Sequence, residues 1–241
     1  MRIIFSRKGF DSSAGGCPSP IVDGRPISLP IPTARRSTTT YDDLQLGDLV
    51  EQTTHGRIRR DALCHDDPMF AESLCWFGQV GAAQGHLRRQ AVGIGGVFLF
   101  FGIFTDPTEG KRHHRIFAYL KVTCCGAPEV VRRHPNWKDP PRPHPHFQPE
   151  WNANNTIYHG PAAVTRRATA ALRLTTDAPV SLWTVPPWLR QLGLTYHDQE
   201  ARWRGDTQLD SAKRGQEFVC NIHGSEDAHA WLEGIVAEID R

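Results

Sequence analysis

The chain has 241 residues, 28 basic against 26 acidic side chains and a net charge of +2. That length suggests one large domain or two small ones, and 39% hydrophobic residues suffice for a core. The near balance of charge does not demand nucleic acid, the six cysteines do not read as a disulfide framework, and no run approaches the ~20 apolar residues of a membrane span.

No Cys-x-x-Cys pair occurs, which argues against a structural zinc site. Met-Arg-Ile-Ile-Phe-Ser at the start reads as a strand, because its apolar run is too short for a signal peptide. A cytoplasmic protein is expected. The positive charge is clumped, at Arg35-Arg36, Arg57 with Arg59-Arg60, Arg88-Arg89, residues 111–115 and residues 132–134. Clumps of this kind make either a local phosphate-binding face or solvated loops.

Residues 1–5 form the first expected strand, which runs into Ser6-Arg-Lys-Gly-Phe-Asp-Ser-Ser-Ala-Gly-Gly16. Glycine lets successive backbone N–H groups point at one oxyanion, and Arg7 or Lys8 adds charge. Ser12, Ser13, Gly15 and Gly16 belong to the same candidate loop. It is not a P-loop, since no Gly-Lys-Ser/Thr follows. Asp11 is placed to orient a water or accept a proton. The competing reading is a polar loop whose Asp and Ser bond their own backbone. Residues 18–31 read as an edge hairpin around Asp23-Gly24, which suits a type I′ turn. Residues 33–40 are polar and expected to be mobile, and a short helix or turn is expected within residues 41–52.

His65-Asp66-Asp67-Pro68 reads either as part of a metal site or as a helix cap before Ala71; without further ligands at regular spacing the cap is favoured. Residues 77–87 are expected to be a helix. Phe77, Val80, Gln84 and Leu87 share one face, and Gln79 and His86 lie on another. Its glycines, each costing a helix roughly 1 kcal/mol, imply close approach of a backbone or a ligand. Gln79, Gln84 and His86 read either as ordinary helix polarity or as the lining of a pocket, in which glutamine can pair with a base edge.

Residues 97–104 are apolar without alternation, so a strand covered on both faces is expected. Residues 115–122 alternate, which predicts one core face and one partly open face. Residues 126–151 are too rich in proline for regular structure. The His144-Pro-His146 pair could ligate a metal, but no third ligand is evident nearby. A strand follows at residues 154–159 and a shorter one at residues 172–175. Residues 181–188 form an aromatic–proline corner. Tyr196-His197 and Arg202-Trp203 bring aromatic and basic side chains together, as base stacking and phosphate contact require, although core use of Trp is commoner. Residues 214–219 read as a strand with Gln216 and Glu217 at its start. Ser225 caps a last helix whose face of Ala228, Trp231, Leu232, Ile235, Val236 and Ile239 marks it as a docking helix.

These blocks resemble a known family. Arg7-Lys-Gly-Phe-Asp-Ser-Ser-x-Gly-Gly-x-Pro-Ser-Pro-Ile21, Ser28-Leu-Pro-Ile-Pro32, Phe77-Gly-Gln-x-Gly-Ala-Ala-Gln-x-His-Leu87, Phe98-Leu-Phe-Phe-Gly102 and Arg214-Gly-Gln-Glu-Phe-Val219 are similar to the third nucleotide-modification-associated domain family. The resemblance runs through nearly the whole chain and implies a role on a DNA base or its nucleotide, in phage or bacterial modification and defence systems. Two departures stand out. Gly95-Gly96 occupies a place where the family pattern has Gly-Asp, and His65-Asp-Asp-Pro68 replaces His-Leu-Asp-Pro. The central unit also resembles, in architecture, EVE and other PUA-like domains, which hold modified bases.

The expectation is therefore an α+β protein forming one domain over residues 1–241. Its sheet is mainly antiparallel and strongly curved or barrel-like, with a few packed helices including the C-terminal one. As an enzyme on a base in DNA or a modified nucleotide, it would use Asp11, Ser12, His86, His197 and Glu217 for chemistry. Arg7, Lys8, Ser13, Gly15, Gly16, Gln79, Gln84, Tyr196, Arg202, Arg214 and Gln216 would hold substrate. No cofactor or metal is evident in the sequence. The alternatives are a non-catalytic reader of a modified base and a structural subunit of a modification complex. DNA or a nucleotide, and other proteins of such a system, are the expected partners.

Overall fold

The computed structural model describes residues 1–106, 110–175, 179–213 and 217–241. The N-terminal elements are β1 (Arg2–Arg7), the hairpin β2 (Ser19–Val22) and β3 (Arg25–Pro26), α1 (Gly47–Thr54), β4 (Met69–Ala71), β5 (Leu74–Gln79) and α2 (Gly81–Arg89). The centre is β6 (Val97–Thr105), β7 (Arg112–Lys121), β8 (Cys124–Gly126), α3 (Pro128–Val131) and β9 (Thr156–Val164). Then come β10 (Leu182–Thr184), α4 (Pro187–Leu192), β11 (Trp203–Arg204), β12 (Gln208–Asp210), β13 (Glu217–Asn221) and α5 (Glu226–Asp240).

The main sheet runs β13-β1-β6-β7-β9-β5-β4, with β2 added on β6, β3 on β2 and β8 on β9. Only β1 and β2 pair with β6 in parallel; the other pairs are antiparallel. The fold is thus α+β with a mostly antiparallel sheet, and the described strands do not close into a barrel. A second, small sheet has the order β10-β12-β11.

β6 explains the arrangement. Val97, Leu99 and Phe101 enter one hydrophobic cluster, while Phe98, Phe100 and Phe104 enter another on the opposite face. A strand apolar on both faces must be covered on both, and each phenylalanine so buried contributes roughly 2–3 kcal/mol. The first cluster takes the apolar face of α5, whose Ser225 side chain accepts from the Ala228 amide at 3.3 Å, as expected of the cap. The second takes Leu87 of α2 and Phe77 of β5. The Asp23-Gly24 turn has φ of 50° and 73°, as a type I′ turn needs.

Several sequence expectations are corrected. The helix expected from Phe77 begins only at Gly81; Phe77, Gly78 and Gln79 end β5, paired with Tyr158, Ile157 and Thr156 of β9. The chain turns at Gly81, where φ is +65°. No helix follows His65-Asp66-Asp67-Pro68, which leads into β4, so the residues cap nothing. β7 starts earlier than expected, and both of its faces are buried, Ile116 and Tyr119 in the first cluster and Phe117, Ala118 and Leu120 in the second, with a bulge opposite Phe100 and Phe101 interrupting the alternation. Residues 126–151 hold two short helical turns, α3 and Pro145–Phe147. A 3₁₀ turn at Ala170–Leu172 takes the first residue of the short strand expected at 172–175, and Arg173 and Thr175 make isolated bridges to Arg115 and Trp183 in place of a strand. The first residues of the strand expected at 214–219, Arg214 and Gln216 among them, lie outside the described residues.

Candidate functional site

A cleft of about 580 Å³ opens where the loop after β1, the 65–68 segment, the end of β5 and the 142–151 segment meet. This is the size of a ligand pocket. One side carries Arg7, Lys8, Asp11 and Ser13; the other carries His65, Asp67 and His146, with Gly78 and Gln79 between. Arg25 and Lys213 add positive charge at the lining.

The first side is tied down from behind. Lys8 Nζ lies 3.3 Å from Glu217 Oε1 and 4.3 Å over the Phe77 ring. The Gln79 amide donates to the same Oε1 at 2.7 Å, while its own oxygen accepts from the Val80 N–H at 3.0 Å. Glu217 is 1% exposed and does not line the cleft; it fixes the two side chains that do. Its Oε2 has no hydrogen-bond partner among the described residues. Arg7 donates to the Ala212 and Lys213 carbonyls at 2.9 and 3.0 Å, and burial lowers its pKa despite the nearby Asp11.

The loop itself closes on Asp11. Its Oδ1 accepts from the Ser13 hydroxyl and amide at 2.7 Å and from the Ala14 amide at 2.8 Å. Burial pushes the carboxyl up, but these bonds and Arg7 outweigh it and hold the pKa below the usual value. The backbone N–H groups expected to converge on a ligand oxyanion thus converge, at Ser13 and Ala14, on the chain's own carboxylate. Gly15 and Gly16 have φ of 82° and 73°, and a Cβ at Gly15 would collide with the Phe10 ring. Ser12 is exposed and outside the lining.

The opposite side is built from residues far apart in sequence. Nε2 of His65 and Nε2 of His146 approach Asp67 Oδ2 at 3.7 and 3.6 Å. Asp67 Oδ1 accepts from the Gly78 amide at 2.8 Å and lies 3.3 Å from His144 Nε2. Burial raises the Asp67 carboxyl, and His144, His65 and His146 more than reverse it, leaving it well below the carboxylate range. The His146 ring is held at Nδ1, 2.7 Å from Asn155 Oδ1, and stacks on Trp151 at 4.3 Å and 3°. A Cβ on Gly78 would collide with that ring, which explains the glycine. Burial lowers the His146 pKa to about 4 although Asp67 and Asn155 oppose it.

The remaining candidates lie elsewhere. Gln84 accepts from the Tyr158 hydroxyl at 3.0 Å, and His86 Nε2 meets Thr195 Oγ1 at 3.1 Å with Tyr196 against its ring. His197 has both nitrogens engaged, Nδ1 with the Thr195 carbonyl and Nε2 with the Ala212 amide, each at 2.9 Å. Arg202 donates to the Asp210 carbonyl at 3.1 Å. None of these five lines the cleft.

The chain matches the family model of nucleotide modification associated domain 3 over residues 2–221. It belongs to that family. No curated protein and no solved structure matches it. As a nucleotide modification associated domain, the chain has a general role in nucleotide modification systems. Among the described residues, no helix is long and apolar enough to cross a membrane.

The sequence alone offers His65, Asp66 and Asp67 as ligands and shows no third group near His144 and His146. The fold supplies it by laying the 142–151 segment beside residues 65–68. The signal in the sequence is Gly78, one of the glycines whose missing side chain implies close approach of another group, here the His146 ring.

Proposed function

We propose that the cleft is where this domain takes up a base or its nucleotide, and that it acts there as an enzyme of a DNA modification system. The observation that carries the reading is the pairing, in one cleft, of a cationic side with a histidine–aspartate side. Lys8, Arg25 and Lys213 suit a phosphate. Asp11, ionised and at the lining, is suited to orient a water or an amine. Gln79 and Lys8 owe their positions to Glu217, a positioning residue in this reading. Gln84, His86, His197 and Arg202 are engaged by neighbouring protein groups away from the cleft, and Tyr196 packs on His86 while remaining exposed. On duplex DNA the target base would have to leave the stack to enter a cleft of this kind. The family and the cleft support this role, whereas a PUA-like pocket needs a closed barrel, which the described strands do not form.

A reader that binds a modified base without changing it is the second reading. The commitment of both Gln79 and Asp11 to neighbouring protein groups favours it, because a rigid wall is what selective binding needs. Incubation with DNA carrying a range of modified bases, followed by mass analysis of the digested nucleosides, separates the two. A mass change that Lys8→Met and Asp11→Asn abolish supports the enzyme. An unchanged nucleoside whose DNA is retained, with retention lost in Lys8→Met, supports the reader. Neither result would leave the domain as a structural subunit.

A further inference from the structure

We propose that His65, Asp67 and His146 form a site for a single divalent first-row transition-metal ion in the wall of the cleft. The ligand atoms of the three residues lie within 4.8 Å of one another. The two Nε2–Oδ2 separations, 3.7 and 3.6 Å, are longer than a hydrogen bond. They are close to the roughly 3–3.6 Å expected between two ligands that sit about 2.1 Å from one shared ion.

The surroundings prepare these atoms for an ion. Asn155 Oδ1 engages Nδ1 of His146, which sets the tautomer with Nε2 unprotonated and facing Asp67. The same Asn155 donates to the His146 carbonyl at 2.8 Å, so residue and ring are fixed together. Trp151 stacks on the ring from one side, and Gly78 leaves room for it on another. Asp67 spends Oδ1 on the Gly78 amide and His144, which aims Oδ2 at the two imidazoles. His65 is the adjustable member: its side chain is 17% exposed and makes no hydrogen bond among the described residues, so it can close the last few tenths of an ångström. Two imidazoles and one carboxylate suit Mn²⁺, Fe²⁺, Co²⁺ or Zn²⁺ better than the all-oxygen cations. Three protein ligands leave positions open to the cleft, where a water or a nucleotide oxygen can bind.

The site deepens the nucleotide reading but its ligand geometry stands without it, so the test contains no nucleotide. Chelator-stripped protein is titrated separately with Mn²⁺, Co²⁺, Zn²⁺ and, without oxygen, Fe²⁺. Bound metal is counted by elemental analysis and the Co²⁺ complex is followed by its visible absorption. One equivalent of at least one ion is expected. His65→Ala should weaken it at least tenfold, Asn155→Ala about 10–100-fold as a positioning residue, and His223→Ala not at all. Circular dichroism checks folding, and His65→Gln replaces any variant that does not fold. No stoichiometric ion in the wild type, or affinity unchanged in both the His65 and Asn155 variants, overturns the proposal. A protein that binds the ion yet neither alters nor retains any nucleoside keeps the metal site and loses the nucleotide reading.

Discussion

His65 and His146 at the cleft, and His114 and His197 outside its lining, are all largely sheltered imidazoles, yet they differ in where their nitrogens point. His114 accepts from the Trp183 indole at 2.9 Å, and His197 accepts from the Ala212 amide at 2.9 Å. Both are locked into the core as neutral rings. The Nε2 atoms of His65 and His146 face a carboxylate oxygen at the lining of a cleft, at distances no hydrogen bond needs. A histidine that completes a hydrogen-bond circuit is structural; one with a nitrogen left over beside a cavity is available for chemistry. Residue type does not separate the two, and only the partners do.

The largest expected effect is with pH, and it runs across both groups, since burial lowers His146 of the cleft to about 4 as well. Burial, with neighbouring cations, lowers His197 to about 4 and His114 to about 3, from the ordinary 6.5. As pH falls below 6.5 the unfolded chain takes up protons that the folded core refuses. Stability is therefore full above about 6.5 and is lost as pH falls toward 4. At about 1.4 kcal/mol per pH unit, His197 alone accounts for roughly 3 kcal/mol. Denaturant titrations at pH 7, 6, 5 and 4 should show a steady loss of this order; a flat profile would mean that the core rings are not held neutral.

Next in size is His197→Ala, which strands the Ala212 amide and leaves a cavity. It should cost about 2–4 kcal/mol in denaturant midpoint analysis. Gly78→Ala attacks the other group. It drives a methyl into the His146 ring and should cost about 1–3 kcal/mol, with a matching weakening of anything His146 holds. Smallest is His65→Ala. Its ring closes no hydrogen-bond circuit and only packs edge-on against His146 and Trp151, so stability should move by about 1 kcal/mol or less by thermal unfolding, in contrast to its expected effect on metal affinity. Equal destabilisation by His65→Ala and His197→Ala would erase the distinction between the two groups.

Much of the fold is legible in the sequence because local chemistry and tertiary packing agree. Ser225 with the apolar face behind it, the Asp23-Gly24 turn and the two-sided apolar strand β6 each do in the structure what their residues demand locally. The failures come from long-range pairing. Phe77 to Gln79 share a helical spacing with residues 80–87, but β9 offers a strand partner and His146 needs the space above Gly78. Asp67 reads as a cap because caps are local; its true partners, His144 and His146, come from a proline-rich segment with no periodicity to read. The loop after β1 is legible in both of its readings, an oxyanion cradle and a polar loop that bonds its own backbone, and Asp11 takes the second by local hydrogen bonds.

The most direct measurement is a titration of the protein with deoxynucleoside monophosphates bearing ordinary and modified bases, followed by heteronuclear NMR of backbone amides and imidazole nitrogens. If the cleft is the nucleotide site, shifts should centre on Lys8, Asp11, Gln79, His65 and His146 and spare His114, His197 and Arg202. Shifts centred on His86, Tyr196 and Arg202, with the cleft silent, would contradict the account.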